Sequence, residues 1–319
     1  MRTYGRRLDE LMRLYLGSQI CDKLAELTTE EVYINPDMQV RYIDATCGRR
    51  KMPHVLKAGS VEAFLRTLAT LCHQDISVQR PALAVSLAQG SLGKCRIQGF
   101  LPPLTPGPAL IIRKPCPMVP TLAEYVAQGI LCSEGLIIIE QSLKQRFNIL
   151  VAGPTASGKT TLCNALLLAI AERFPDDRLV LLEDTAELRV TSKDCLQMQT
   201  TDTVSMRQLV KYSLRATPNR IVVGEVRDGS AKDLLDAWIT GHPGGCGTVH
   251  GETAALALER LADLARDGSA GTDQRHLVLR AIQVVVLITG FGRGRIVKEI
   301  ARPTDLMTNG FALDYLLRR

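Results

Sequence analysis

FNILVAGPTASGKTT, residues 147–161, is the stretch on which the fold turns. Phe147 to Ala152 is an apolar run of strand length. It leads directly into Gly153-Pro154-Thr155-Ala156-Ser157-Gly158-Lys159-Thr160-Thr161, which satisfies GxxxxGK[ST] at every specified position. Thr160 to Glu172, rich in Leu and Ala, then reads as a helix. Strand, glycine-bearing loop and helix in that order make an anion nest: backbone N–H groups of the loop and of the first helical turn converge, and the helix dipole adds positive potential. Lys159 supplies a point charge for the β- and γ-phosphates, and the Thr160 hydroxyl is a ligand for magnesium. A plain surface turn would need neither residue. The expected ligands are ATP and Mg2+.

Downstream and upstream of the loop, apolar runs alternate with helical patterns. Strands are expected at Arg178 to Leu182, Arg220 to Val223 and Ile282 to Ile288. Helices are expected near Ser205 to Arg215, Ala231 to Thr240 and Ala254 to Leu264. Continuous rather than alternating hydrophobic strands imply a sheet covered on both faces, hence an α/β, doubly wound parallel sheet with the phosphate loop at the carboxyl end of its strand. Toward the N-terminus the pattern changes. Arg6 to Leu27 carries Leu8, Leu11, Met12, Tyr15, Leu16, Ile20, Leu24 and Leu27 at helical spacing with Arg6, Arg7 and Arg13 between them, a stripe suited to a domain core or to a membrane surface. Short strands at Glu31 to Asn35 and Gln39 to Ile43, a helix over Ser60 to His73, and further short strands up to Lys114 make a smaller α+β block. Seven prolines between Pro102 and Pro120 mark irregular chain. The expected domains are 1–117, α+β, and 118–319, a P-loop ATPase domain.

Composition narrows the possibilities. With 319 residues and 46% hydrophobic content, two ordinary cores can form. Lys+Arg exceed Asp+Glu by 39 to 33, a net +6 that falls short of a duplex-DNA reader. Only 4% of residues are aromatic, and no basic-aromatic interleaving offers a stacking platform, so direct nucleic-acid binding is not expected. Nine scattered cysteines without a CxxC pair argue for reduced thiols in the cytoplasm and against structural zinc. No apolar run approaches the ~20 residues of a membrane span, and the Arg-rich N-terminus lacks the apolar core of a signal peptide.

Hydrolysis needs a group that orients water beside the magnesium. Arg220-Ile221-Val222-Val223-Gly224-Glu225 is an apolar strand ending in acid, where a Walker B element belongs; Gly224 stands where an Asp would ligate the metal, which leaves Glu225 as the carboxylate of the pair, acting on the ion directly or through water. A second strand ends in Glu183-Asp184, with Glu187 close behind; the alternative for this cluster is a solvated turn. In Thr240 to His250, two histidines sit among four glycines. His250, at a strand end near the γ-phosphate, is suited to sensing it, whereas His242 also fits a turn.

GPTASGKTT, LLEDTAEL, RIVVGEVRD and TGHPGGCGTVHG, in that order, resemble the Walker A, Asp box, Walker B and His box of the ATPases that drive type II and type IV secretion and type IV pili. LRATPNRIVVGEVRDGSAKDLLDAWITGHPGG, EVYINPD and RIQGFLPPLTPGPALIIRK are similar to the TrbB-like conjugal-transfer branch, so the resemblance covers nearly the whole chain. Ala156 replaces a frequent glycine, and Gly251-Glu252 follows His250 where Ala-Asn is usual. The resemblance implies a RecA-like ATPase domain, a homohexameric ring stacked beneath a ring of N-terminal domains, and nucleotide bound between the two. It also implies a cytoplasmic location, peripheral at the inner membrane, with the membrane components of a conjugation or secretion machine as partners. Arg113 matches an arginine that reaches the phosphates from the N-terminal domain; Arg227 is a second candidate, and Arg96 matches in type. The implied function is an ATP-hydrolysing motor of conjugative type IV secretion, powering pilus biogenesis or substrate transfer. The alternative is a pilus-retraction or type II secretion ATPase.

Overall fold

The computed structural model describes residues 2–44, 47–87, 95–114, 119–201, 203–268, 271–308 and 310–319. The chain divides into two compact units, Met1–Pro117 and Met118–Arg319; the stretch 115–118, on which the expected boundary falls, lies outside the described residues.

In the first unit α1 (Arg2–Leu16) and α2 (Ser18–Ala25) are followed by β1 (Thr29–Ile34), β2 (Gln39–Asp44), β3 (Gly48–Val55), α3 (Ala58–Leu71), β4 (Ala82–Ser86), β5 (Arg96–Phe100) and β6 (Ala109–Arg113). The strands form one antiparallel sheet in the order β3-β2-β1-β6-β5-β4. The N-terminal stripe is core: Leu8, Met12, Leu16, Ile20 and Leu24 are fully buried and pack with Phe64, Leu65 and Leu68 of α3. The expected single helix over 6–27 is two helices. Gly17 breaks it with a left-handed backbone (φ +85), a conformation costly for any residue with a Cβ.

The second unit runs α4 (Leu122–Ala127), α5 (Ser133–Lys144), β7 (Ile149–Gly153), α6 (Lys159–Arg173), β8 (Leu179–Glu183), β9 (Cys195–Gln199), α7 (Met206–Ser213), β10 (Arg220–Val223), α8 (Ser230–Ile239), β11 (Cys246–His250), α9 (Ala254–Asp267), α10 (Arg275–Ala281), β12 (Val284–Thr289), β13 (Ile296–Met307) and β14 (Gly310–Arg318). Its sheet has the order β14-β13-β12-β7-β11-β10-β8-β9. The six strands from β12 to β9 are parallel, and β13 and β14 extend the sheet as an antiparallel hairpin. Successive residues of β7 feed opposite cores: Leu150 and Ala152 pack with α7 to α10, and Ile149 and Val151 with α4 to α6. Burial on both faces is why the parallel strands read as unbroken apolar runs. This is the RecA-like P-loop architecture.

The strand end expected at His250 is the end of β11, a central strand of the sheet. Gly245, which leads into it, has a packing cause: a Cβ there would stand 2.3 Å from Trp238 Nε1 of α8 and from Ile221 O. The strand expected over 282–288 begins at Val284 because α10 and its C-terminal residue Ile282 occupy the preceding turn.

Candidate active site

The carboxyl ends of β7, β8, β10 and β11 present the loop, Glu183, Glu225 and His250 on one edge of the sheet. The register explains the grouping, since His250 pairs with Gly153 and Val223 with Leu182. The loop depends on backbone geometry at two glycines. A Cβ on Gly153 would lie 2.1 Å from Ile288 O, and Gly158 is left-handed (φ +96) where it precedes the first turn of α6. Ala156 is also left-handed (φ +62), so the residue that stands in place of a glycine adopts the conformation glycine favours. Lys159, almost wholly buried, donates from Nζ to Gly153 O and Pro154 O, each at 2.9 Å. The same Nζ is 3.3 Å from His250 Nδ1. An ammonium only donates, so this contact is a hydrogen bond in the tautomer that presents Nδ1 as the acceptor.

The other ring nitrogen, Nε2, faces Glu225. It lies 2.9 Å from Glu225 Oε1, at charge-pair distance but without hydrogen-bond alignment, while Glu225 Oε2 accepts from Arg227 Nη2 at 2.5 Å. Oε1 is buried and receives no aligned hydrogen bond among the described residues. Burial pushes the Glu225 carboxyl up; the hydrogen bond and charge of Arg227, then His250 and Lys159, outweigh it and hold it below the usual carboxylate value. The Arg227 guanidinium is raised in turn, first by its bond to Glu225, against burial, with Asp184 and Glu187 adding to it. The turn bearing Glu225 is fixed from β11: Thr248 Oγ1 donates to Gly224 O at 2.7 Å, and Val226 N donates to Thr248 O at 2.9 Å.

Glu183 and Glu187 of the second cluster divide their work. Glu183 is buried, and its Oε1 accepts from Glu187 N at 2.8 Å and Leu188 N at 2.7 Å. It thereby folds the turn that aims Glu187 at the loop. Thr160 Oγ1 donates to Glu187 Oε2 at 3.2 Å, and Asn164 Nδ2 of α6 donates to Glu187 O at 3.2 Å. A Cβ on Gly224 would stand 3.1 Å from Glu183 Cγ, so Glu183 occupies the side of the strand where a Walker B Asp would point. Thr160 and Glu187 offer hard oxygen donors suited to magnesium, an ion that keeps several waters and takes few protein ligands, and among the described residues no cluster of three His, Cys, Asp or Glu exists to hold a metal otherwise. Gly251 has a packing cause too, since a Cβ there would meet Ala257 Cβ of α9 at 2.8 Å.

His242 lies before β11, at the opposite end of the sheet, with Nδ1 3.0 Å from Pro218 O; it belongs to a turn. Arg113 ends β6 in the first unit, opposite Glu31 on β1 and Arg96 on β5. One residue near the loop escaped sequence reasoning. Arg295, just before β13, lays its side chain on the phosphate loop, with Nη2 3.5 Å from Ala156 O. Among the arginines of Gly290 to Arg295 no spacing marked it.

The type II/IV secretion system protein family matches residues 38–289. The chain belongs to that family. Within it, the conjugal transfer protein TrbB of Rhizobium radiobacter is 35% identical over 315 residues, covering 99% of this chain and 96% of the relative. The probable conjugal transfer protein TrbB of Sinorhizobium fredii is 35% identical over 310 residues, covering 97% and 93%. The X-ray structure of the Legionella pneumophila ATPase DotB matches with a TM-score of 0.60 and 18% identity over 85% of this chain and 76% of that one, a likeness of fold. Family membership and the phosphate loop with its acidic partners make this type II/IV secretion system protein an ATPase.

Proposed function

We propose that this ATPase is the motor of a conjugative type IV secretion system, turning ATP hydrolysis into domain motion within a homohexameric ring at the cytoplasmic face of the inner membrane. The full-length likeness to conjugal transfer proteins supports the assignment to conjugation. Among the described residues no helix is long and apolar enough to cross a membrane, which fits peripheral attachment to membrane partners.

The chemistry rests on one observation above all: a half-buried, ionised Glu225 with one oxygen held by Arg227 and the other, facing His250 Nε2 at 2.9 Å, without an aligned hydrogen bond. That oxygen is suited to orient a water for in-line attack on the γ-phosphate. Lys159 and the loop N–H groups hold the phosphates, and His250 links Lys159 to Glu225, so that loss of the γ-phosphate is felt by both. Magnesium, when bound through Thr160 with Glu187 behind it, neutralises the developing phosphate charge. Glu183 positions water only indirectly in this account, through Glu187. Arg113 would contribute from the N-terminal unit, where a guanidinium on a mobile body couples charge loss to motion.

Glu225→Gln keeps the shape and removes the charge. It should leave ATP binding intact and slow phosphate release by roughly 100-fold, the low end for loss of a general base. Nucleotide binding lost together with turnover would contradict this role.

A further inference from the structure

Arg295 reaches the loop from the side of β7 opposite to Glu225 and His250, because β12 and β11 flank β7 on its two sides. It follows a tight turn in which Gly290 is left-handed (φ +85) and a Cβ on that glycine would lie 2.0 Å from Gly294 O. The turn brings the arginine back over the loop, where its guanidinium carbon lies 6.0 Å from the Phe291 ring centroid. The side chain covers Gly158, since a Cβ there would meet Arg295 Nε at 3.2 Å and Cδ at 3.3 Å, and its Nη2 makes a long hydrogen bond of 3.5 Å to Ala156 O. The carbonyl it holds belongs to the loop residue whose left-handed backbone is unfavourable. For a residue with a Cβ that conformation costs about 1–2 kcal/mol, and the loop's N–H groups point at phosphate only while the turn is kept.

We propose that Arg295 is a positioning residue for ATP hydrolysis, holding the Ala156 carbonyl and covering Gly158 so that the phosphate loop keeps the left-handed turn that Ala156 by itself disfavours. The proposal rests on the ATPase reading of the site and adds to it a device in which an arginine outside the loop supports a left-handed turn at a residue that is not glycine. Its signature is that Arg295 matters in proportion to the strain. When residue 156 is glycine, the turn holds itself and the arginine becomes dispensable.

The test is a double-mutant cycle on the full chain, Arg295→Ala, Ala156→Gly and both together, reading KM for ATP and kcat, with Lys159→Ala as the reference for loss of the site. Arg295→Ala alone should raise KM roughly tenfold, the scale of the strain released, with kcat within about twofold. Ala156→Gly serves as its own reference, and in that background the arginine change should raise KM less than about threefold over the Ala156→Gly chain. An equal rise in both backgrounds would overturn the proposal and point to direct contact with nucleotide; no rise in either would overturn it as well. If Arg295→Ala does not fold, Arg295→Gln takes its place with the same two results decisive. A parent chain without Lys159-dependent turnover would sink the ATPase reading itself, whereas additive effects in an active parent sink this proposal alone.

Discussion

Glu225 owes its behaviour to its neighbours more than to its position in a motif. Arg227 holds one of its oxygens and, with His250 and Lys159, keeps the carboxyl ionised despite burial. A depressed carboxyl contributes stability that is present above its unfolded-state value and is lost as pH falls through the folded one, and an acceptor for water works only while ionised. Removing Arg227 leaves burial less opposed. Arg227→Ala should therefore move the acid limb of the kcat profile to higher pH, a shift read from turnover measured from about pH 3.5 upward to about pH 7, so that the parent's limb below the ordinary carboxylate value is included; an unmoved limb would mean that another group sets it. At this scale the sequence was a good guide wherever a residue sits in a strand-end motif. Lys159, His250, Glu225 and Arg227 lie in successive contact and Thr160 meets Glu187, which groups the residues singled out in the sequence while leaving their roles in turnover to the proposal above. It was a poor guide to division of labour. Nothing in LLEDTAEL tells that Glu183 folds the turn and Glu187 meets Thr160, because two backbone N–H groups decide it.

Elements carry the site only if their far ends are fixed. At the amino end of the second sheet, Arg220 of β10 is fully buried, donates from Nε to Asp177 at 2.7 Å and from Nη1 to Gly244 O at 2.9 Å, and stacks 4.5 Å from the Phe174 ring. Arg146 binds the other Asp177 oxygen at 2.7 Å. Burial pushes the Asp177 carboxyl up, but the two arginines bring it below its ordinary value. Removing the shared acid leaves a guanidinium buried without its counter-charge, so Asp177→Ala should cost about 3 kcal/mol in urea unfolding, while a loss under about 1 kcal/mol would show that Gly244 O and Phe174 suffice. The same carboxylate predicts that this part of the stability disappears as pH falls through the depressed value. Elements with a single strong signal, such as β7, β8 and β10, were legible. The strand end at His250 was legible as well, whereas the α1–α2 break was not, because it depends on one φ at Gly17. The β13–β14 hairpin alternates burial only in part, which blurs its period.

The whole molecule consists of two compact units, each with its own core, and the proposed site lies on one edge of the sheet of the second. Most of the N-terminal stripe, compatible in sequence with a membrane surface, is spent on the first unit's own core, while Leu27 stays exposed. If Arg113 acts from a ring, Arg113→Ala should lower turnover in the assembled protein and leave the size of the assembly unchanged, as read by light scattering beside the activity assay. A reduced size at equal turnover per chain would assign Arg113 to assembly. The most direct test of the central claim is phosphate release from ATP and magnesium by the purified full chain and by Lys159→Ala, both measured on protein of known assembly size. The account predicts sustained turnover by the parent in the assembled state and its loss in the Lys159→Ala chain; turnover by Lys159→Ala at the parent's rate would contradict it.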